Sequence, residues 1–270
     1  MTTNEADAAA ASVAIVSRFA REPGRSVLAR VMTPGGTWEG GVGEDVLRPA
    51  ASLLKVPLAM AAETAFRAES LSPAESVPVR ALLAAYDGRS PLHVLSPDHA
   101  LSAAEVLGLC LSLSDRACAT WLMSRVGLPA VERAAADAGC ETTTMAYAPA
   151  DPAGPLVGQT TARDALALLG AAADAVRYPL TDHALRNNIR DSRIPLGATD
   201  LDVEIAHKTG SLAGVANDVA VITSAGGTVW IAFLAEAQHD TLVTGYEMGI
   251  CTRELLDTWG LGTRGTRSLA

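Results

Sequence analysis

The segment AASLLKVPLAM, residues 50–60, sets a serine, Ser52, three residues before a lysine, Lys55, in a stretch that otherwise reads as apolar helix. Residues three apart on a helix share a face, so the Lys55 amine can reach the Ser52 hydroxyl. Pro49 and the small Ala50 and Ala51 allow a helix to begin just before Ser52, which puts both residues in its first turn. There the positive end of the helix dipole favours an alkoxide and disfavours a lysine cation. A serine nucleophile with a lysine proton acceptor needs those two shifts. The pattern also arises by chance, and alone it equally describes a capping serine followed by a lysine whose stem lies along apolar surface.

Two further motifs follow in order. About sixty residues downstream, LSLSDRACATWL holds Ser114-Asp115, and about ninety beyond that, EIAHKTGSLAGVANDVAVI holds Lys208-Thr209-Gly210 on a predicted strand. S-x-x-K, then S-D, then K-T-G is the signature order of class A β-lactamases and penicillin-binding proteins. Over about residues 10 to 260 the chain resembles this serine acyl-transferase superfamily. TTARDALALL is similar to the threonine-rich start of the helix after the family's Ω-loop, and NDVAVI to its Asn-Asp strand start. The resemblance implies that Ser52 is the acylated nucleophile, with Lys55 accepting its proton directly or through water. Ser114 would relay a proton to the leaving group. Lys208 would raise the local positive potential and hold an anionic substrate group, with Thr209 and Ser211 as hydrogen-bond donors. Gly210 would let the strand approach the substrate closely, and the N–H groups of Ser52 and Ser211 would form an oxyanion hole.

The sequence departs from the family pattern at three places. The second motif reads Ser-Asp-Arg where the family has Ser-Asp-Asn. Pointing inward, Arg116 would depress the Lys55 pKa and could grip a carboxylate bidentately; pointing outward, it would pair with an acid in solvent. The Ω-type loop, MAYAPADPAGPLVGQ, lacks the glutamate that activates the deacylating water in family hydrolases. Asp151 is its only acid, either a general base or a solvated loop residue, and counting back from Thr160 puts Ala146 or Tyr147 at the expected position. Tyr147 reads as a packing residue, with a base as its alternative role. Ala216 stands where many β-lactamases carry an arginine for the substrate carboxylate. Arg116, Arg190 or Arg193 could substitute, the last two being solvated by default. His93, His183, His207 and His239 lack ligand or triad spacing, so no metal site and no cofactor is expected.

These residues need a scaffold of mixed type. At 270 residues, 49% hydrophobic and 19% charged, the chain can bury a full core. A net charge of −9 without a basic run argues against nucleic acid as a partner. The first residues read as an opening helix, EADAAAASVAIVSRFA, and then as a hairpin of SVLARVM and TWEGGVG joined at TPGG. From about 60 to 190 the reading is helical, with SAAEVLGLCLSLSDRACATWLMSRVG as one helix and Gly127 and Gly139 as stops. ETTTMAYAPADPAGPLVGQ reads as an irregular functional loop. VEIAHKTG, NDVAVITSAGG and TVWIAFLAEA read as strands, closed by the helix TLVTGYEMGICTRELLDTWG.

The expected fold is therefore α+β: an antiparallel sheet flanked by helices plus an all-helical lobe, with a cleft between them. The whole chain, 1–270, is read as a single domain, its α/β lobe at about 1–59 and 195–270 and its helical lobe at about 60–194. Cys110 and Cys118, about 12 Å apart along one helix, could not pair, and all four cysteines read as free thiols. No basic n-region precedes the first apolar run and no stretch of roughly 18 uninterrupted apolar residues occurs. The expectation is a cytoplasmic enzyme that neither spans nor sits on a membrane. It would hydrolyse or transfer a strained or activated amide or ester, carrying an anionic group, through acyl-Ser52. The alternatives are a true β-lactamase, and a non-catalytic protein that binds a β-lactam or peptide.

Overall fold

The computed structural model describes residues 3–84, 86, 88–147 and 156–262. In chain order the elements are α1 (Thr3–Phe19), β1 (Arg25–Thr33), β2 (Gly36–Val42), β3 (Arg48–Pro49), α2 (Lys55–Arg67), β4 (Ser76–Pro78), α3 (Val79–Ala84), β5 (Ala100–Ser102), α4 (Ala103–Ser112), α5 (Arg116–Val126), α6 (Leu128–Asp137), β6 (Thr144–Tyr147), β7 (Leu156–Thr160), α7 (Ala162–Ala172), α8 (Pro179–Arg186), β8 (Glu204–Leu212), β9 (Val215–Ser224), β10 (Gly227–Ala235) and α9 (Thr241–Thr258).

The main sheet is antiparallel in the order β2-β1-β10-β9-β8, which joins the N-terminal hairpin to the C-terminal strands as the sequence suggests. Side chains of a strand alternate between its two faces, and here the alternation divides two apolar clusters. Val27, Ala29, Val31, Ile231 and Phe233 join α1 and α9 on one face, while Leu28, Ala232 and Leu234 join the helices on the other. Both faces are covered, and β1 and β9 are accordingly runs of buried residues rather than half-exposed strands.

Helix α2 runs through the second cluster and is buried from Lys55 to Glu63. Its one acid, Glu63, is 3% exposed and accepts hydrogen bonds from the N–H groups of Leu180 and Thr181 and from Thr181 Oγ1, at 2.7 to 3.0 Å. It caps the first turn of α8, whose own N-terminal residue offers no side-chain cap. An acid inside an apolar helix is thereby satisfied.

Three expectations need correction. Residues 102–127 are not one helix: α4 ends at Ser112 and α5 starts at Arg116, so Cys110 and Cys118 lie on different helices, both unpaired. Asp115 starts the new helix by accepting the Cys118 N–H at 2.8 Å, a cap strong enough to outweigh the continuous apolar pattern. Residues 141–159 are not wholly irregular, because β6 and β7 pair antiparallel and β7 also pairs with β3. Finally, the α-helix begins at Lys55, and Ser52 sits in a preceding 3-10 turn, Ala51–Leu54.

Candidate active site

The turn that carries Ser52 is tied down from two directions. Ala50 donates its N–H to the Gly158 carbonyl at 2.9 Å, and Asn217 on β9 donates from Nδ2 to the Pro49 carbonyl at 2.8 Å. Gly210 on β8 presses against the same turn: a Cβ there would lie 2.9 Å from the Ala50 oxygen. The close approach that Gly210 permits in the folded chain is thus to the backbone before Ser52. Ala51 is held in the left-handed region at φ 51°, a conformation that costs free energy in a residue with a Cβ and persists only where surrounding contacts enforce it. Ser114, between α4 and α5, is likewise left-handed at φ 56°. The non-glycine residues with positive φ among those described include the residue just before the candidate nucleophile and the candidate relay.

Lys55 Nζ donates to Ser52 Oγ at 3.0 Å, and Lys208 Nζ donates to Ser114 Oγ at 3.0 Å and to the Thr209 carbonyl at 2.8 Å. Both lysines are buried, Lys208 completely. Burial is the main reason the Lys55 pKa falls below the ordinary lysine value, with Arg116 and Arg190 adding like-charge repulsion. Lys208 is pushed well below its ordinary value, again by burial first and then by Lys55. The site therefore holds two amines whose neutral forms are accessible, each on a hydroxyl.

Arg116 is exposed and lines the same cavity as Ser52 and Lys55. Thr209 and Gly210 are buried and Ser211 is exposed, all on β8, the edge strand of the sheet, whose outer side offers backbone donors. Tyr147 lies on β6 opposite Leu156 and packs against the large apolar cluster. Ala146 is exposed and pairs with Val157, which lines the cavity. Asp151 lies outside the described residues. Among the described residues that line the cavity there is no carboxylate; Gln159 and Thr120 are its uncharged polar side chains besides Ser52.

Arg193 needs a correction at the level of its side chain. The default for its local pattern is solvent, but it is 8% exposed. It donates to the Gly210 carbonyl at 2.9 Å, to the Asn217 carbonyl, and to Ser211 Oγ at 2.7 Å. It thus braces the strand that carries Lys208 through Ser211. Nothing in the local pattern separates Arg193 from Arg190, which is exposed and donates to the Leu113 carbonyl; only the pairing with residues 210–217 distinguishes them. Asn217, a landmark in the sequence, also gains a structural role, bridging the Ser52 turn and the Ala235 N–H. His207 is buried with Nδ1 3.1 Å from Asp218 Oδ1, whose other oxygen accepts the Ile194 N–H; this fits a structural histidine. No group of histidines, cysteines and acids among the described residues could hold a metal. No described helix is long and apolar enough to cross a membrane.

The β-lactamase from Sphaerobacter thermophilus DSM 20745 is similar over 96% of this chain and 98% of its own, at 26% identity and a TM-score of 0.77. PBP-A is similar at 20% identity over 93% of this chain and 96% of its own, with a TM-score of 0.76. A class A β-lactamase representative from Bacteroides cellulosilyticus DSM 14838 is similar at 17% identity, over 93% and 98%, with a TM-score of 0.76. The last two likenesses establish the fold alone. Comparison with curated protein sequences finds no match. The sequence model of the beta-lactamase enzyme family matches residues 12–254, and the chain belongs to that family.

Proposed function

We propose that the protein is a serine acyl-enzyme that acts on a strained or activated amide or ester carrying an anionic group, through an acyl-Ser52 intermediate. By family and fold the chain is a β-lactamase-like serine hydrolase. The observation that carries the finer reading is the pair of amine–hydroxyl contacts, Lys55 on Ser52 and Lys208 on Ser114, each at 3.0 Å. As part of this reading, the chain is a single domain whose sheet-bearing lobe is drawn from about 1–59 and 195–270 and whose helical lobe is drawn from about 60–194. The four unpaired cysteines fit a reducing compartment and support the cytoplasm as its location.

Neutral Lys55 takes the Ser52 proton as Oγ bonds to the substrate carbonyl carbon. The oxyanion is held by the N–H groups of Ser52 and Ser211. Collapse expels the leaving atom, which takes a proton from Ser114 while Lys208 replaces it. Lys55 is now charged and Lys208 neutral; the route starts from charged Lys208, the form that an anionic substrate group beside it favours against the pull of burial. The acceptor, water or an alcohol or amine, enters where the leaving group departed and gives its proton back through Ser114 to Lys208. Ser52 leaves with the Lys55 proton, and every group returns to its starting state. The reversal through the same residues follows from microscopic reversibility.

This route favours an acceptor that binds in the leaving-group site over bulk water, because no described carboxylate lines the cavity to polarise a water. General-base help is worth about 10²- to 10⁴-fold. A stopped-flow record with an activated ester is expected to show a stoichiometric burst and then slow turnover, which an added amine or alcohol accelerates. Burst-free hydrolysis at tens per second, indifferent to acceptor, would instead identify an ordinary β-lactamase. That second reading draws support from the similar Sphaerobacter β-lactamase. Penicillin is a suitable probe of both, since a mutant of the similar PBP-A forms an acyl-enzyme complex with penicillin G.

A further inference from the structure

We propose that the cavity beside Ser52 receives the acyl side of the substrate and that this acyl group is apolar, an alkyl or aryl chain rather than a peptidyl one. The inference rests on Ser52 being the acylated nucleophile. The cavity measures about 460 Å³, within the range of small-molecule sites. Ser52 and Lys55 line it together with Leu54, Leu58, Met123, Leu156, Val157 and Leu212. Its lining is therefore mainly hydrocarbon, with Arg116 the one exposed cation on it among the described residues.

Two observations give the cavity to the acyl side rather than to the leaving group. Ser114, Lys208 and Ser211, the groups to which the proposed route gives the leaving atom and any anion attached to it, do not line it. A carbonyl carbon bonded to Ser52 has two diverging substituents. In the route proposed above one of them is protonated by Ser114, and the cavity walled by α2, α5 and β7, which Ser52 also lines, offers room for the other. In addition, Val157 and Leu212 are 42% and 50% exposed at the ends of β7 and β8, large apolar side chains left facing the cleft. Contact with a polar chain would leave that surface wet, whereas a hydrocarbon chain removes it from water.

The substrate class that follows is an apolar acyl group on an anionic leaving group. The test uses the full chain and 4-nitrophenyl esters from acetate through butyrate and hexanoate to octanoate, reading the acylation rate constant over substrate affinity from the burst. Each buried methylene should raise it about fourfold until the cavity is full. Filling the cavity with Ala119→Phe, or making its exposed wall polar with Val157→Gln should Ala119→Phe fail to fold, should collapse the ratio of octanoate to acetate toward one. A flat series, a ratio that persists in the folded variant, or a preference for an N-acylglycyl ester, with Ser52 still acylated in each case, overturns the acyl pocket and leaves the nucleophile standing. Absence of any acyl adduct with every ester overturns the nucleophile and the pocket together.

Discussion

The role proposed for Lys55 depends on its surroundings more than on its own chemistry. A lysine at its ordinary pKa is almost wholly protonated at neutral pH and cannot take the Ser52 proton. Burial lowers that pKa, and Arg116 lowers it further by keeping a second positive charge nearby. The sign of the pH dependence follows. Acylation should rise with pH as Lys55 loses its proton, along a limb that lies below the ordinary lysine range. Removing Arg116 removes repulsion against the charged amine, so Lys55 keeps its proton to higher pH and the limb in Arg116→Gln should move upward. A pH profile of the acylation rate for both proteins measures this. A limb at the same pH in the two would mean that the Arg116 charge does not reach Lys55. The replacement of the family's asparagine by arginine is thus compatible with the chemistry, because an arginine on the cavity wall favours the neutral amine.

At the scale of elements, the site depends on where β8 meets the turn before Ser52. Gly210 makes that contact, and a methyl group there would stand 2.9 Å from the Ala50 oxygen, with the Asn217 side-chain amide nitrogen and the Ala51 Cβ at 3.2 and 3.3 Å. Gly210→Ala should destabilise the fold by about 1 to 3 kcal/mol, as overpacking does, and slow acylation by about 10²-fold, the cost typical of a misplaced catalytic group. Denaturant unfolding and burst kinetics would show both, and wild-type values for either would remove β8 from its positioning role. The sequence singled out Ser52, Lys55, Ser114 and Lys208 through three motifs in order, and the fold brings them into two amine–hydroxyl pairs. The sheet strands were legible too, since β-branched runs and glycine turns are local signals. The break between α4 and α5 was hidden, because Asp115 caps the second helix with help from Ser90, twenty-five residues away, whose Oγ donates to it. The β6–β7 pairing was hidden by the proline and glycine content of 141–159, which obscured two short strands. Arg193 was misplaced because a buried guanidinium is recognised by the carbonyls it meets, and those lie on β8 and β9.

For the molecule as a whole, the chain carries a net charge of −9 while its cleft gathers Lys55, Lys208, Arg116 and Arg190. Bringing these cations together opposes folding, and the two apolar clusters on either face of the main sheet offset it. Such an arrangement is understandable if the cleft is completed by an anionic substrate, whose charge restores the balance that burial removes. It also bears on the proton-carrier role proposed for the lysines: burial first, and then like charge nearby, lowers the pKa of each below the ordinary lysine value. All of this converges on one covalent event at one oxygen, and intact-mass measurement tests it most directly. After incubation with penicillin G, whose ring opens without loss of atoms, the wild-type chain should gain the mass of one penicillin and keep it for longer than a turnover of an ordinary β-lactamase. Ser52→Ala should gain nothing. An adduct that survives Ser52→Ala, or a wild-type chain that gains no mass from either penicillin G or an activated ester, would contradict the account.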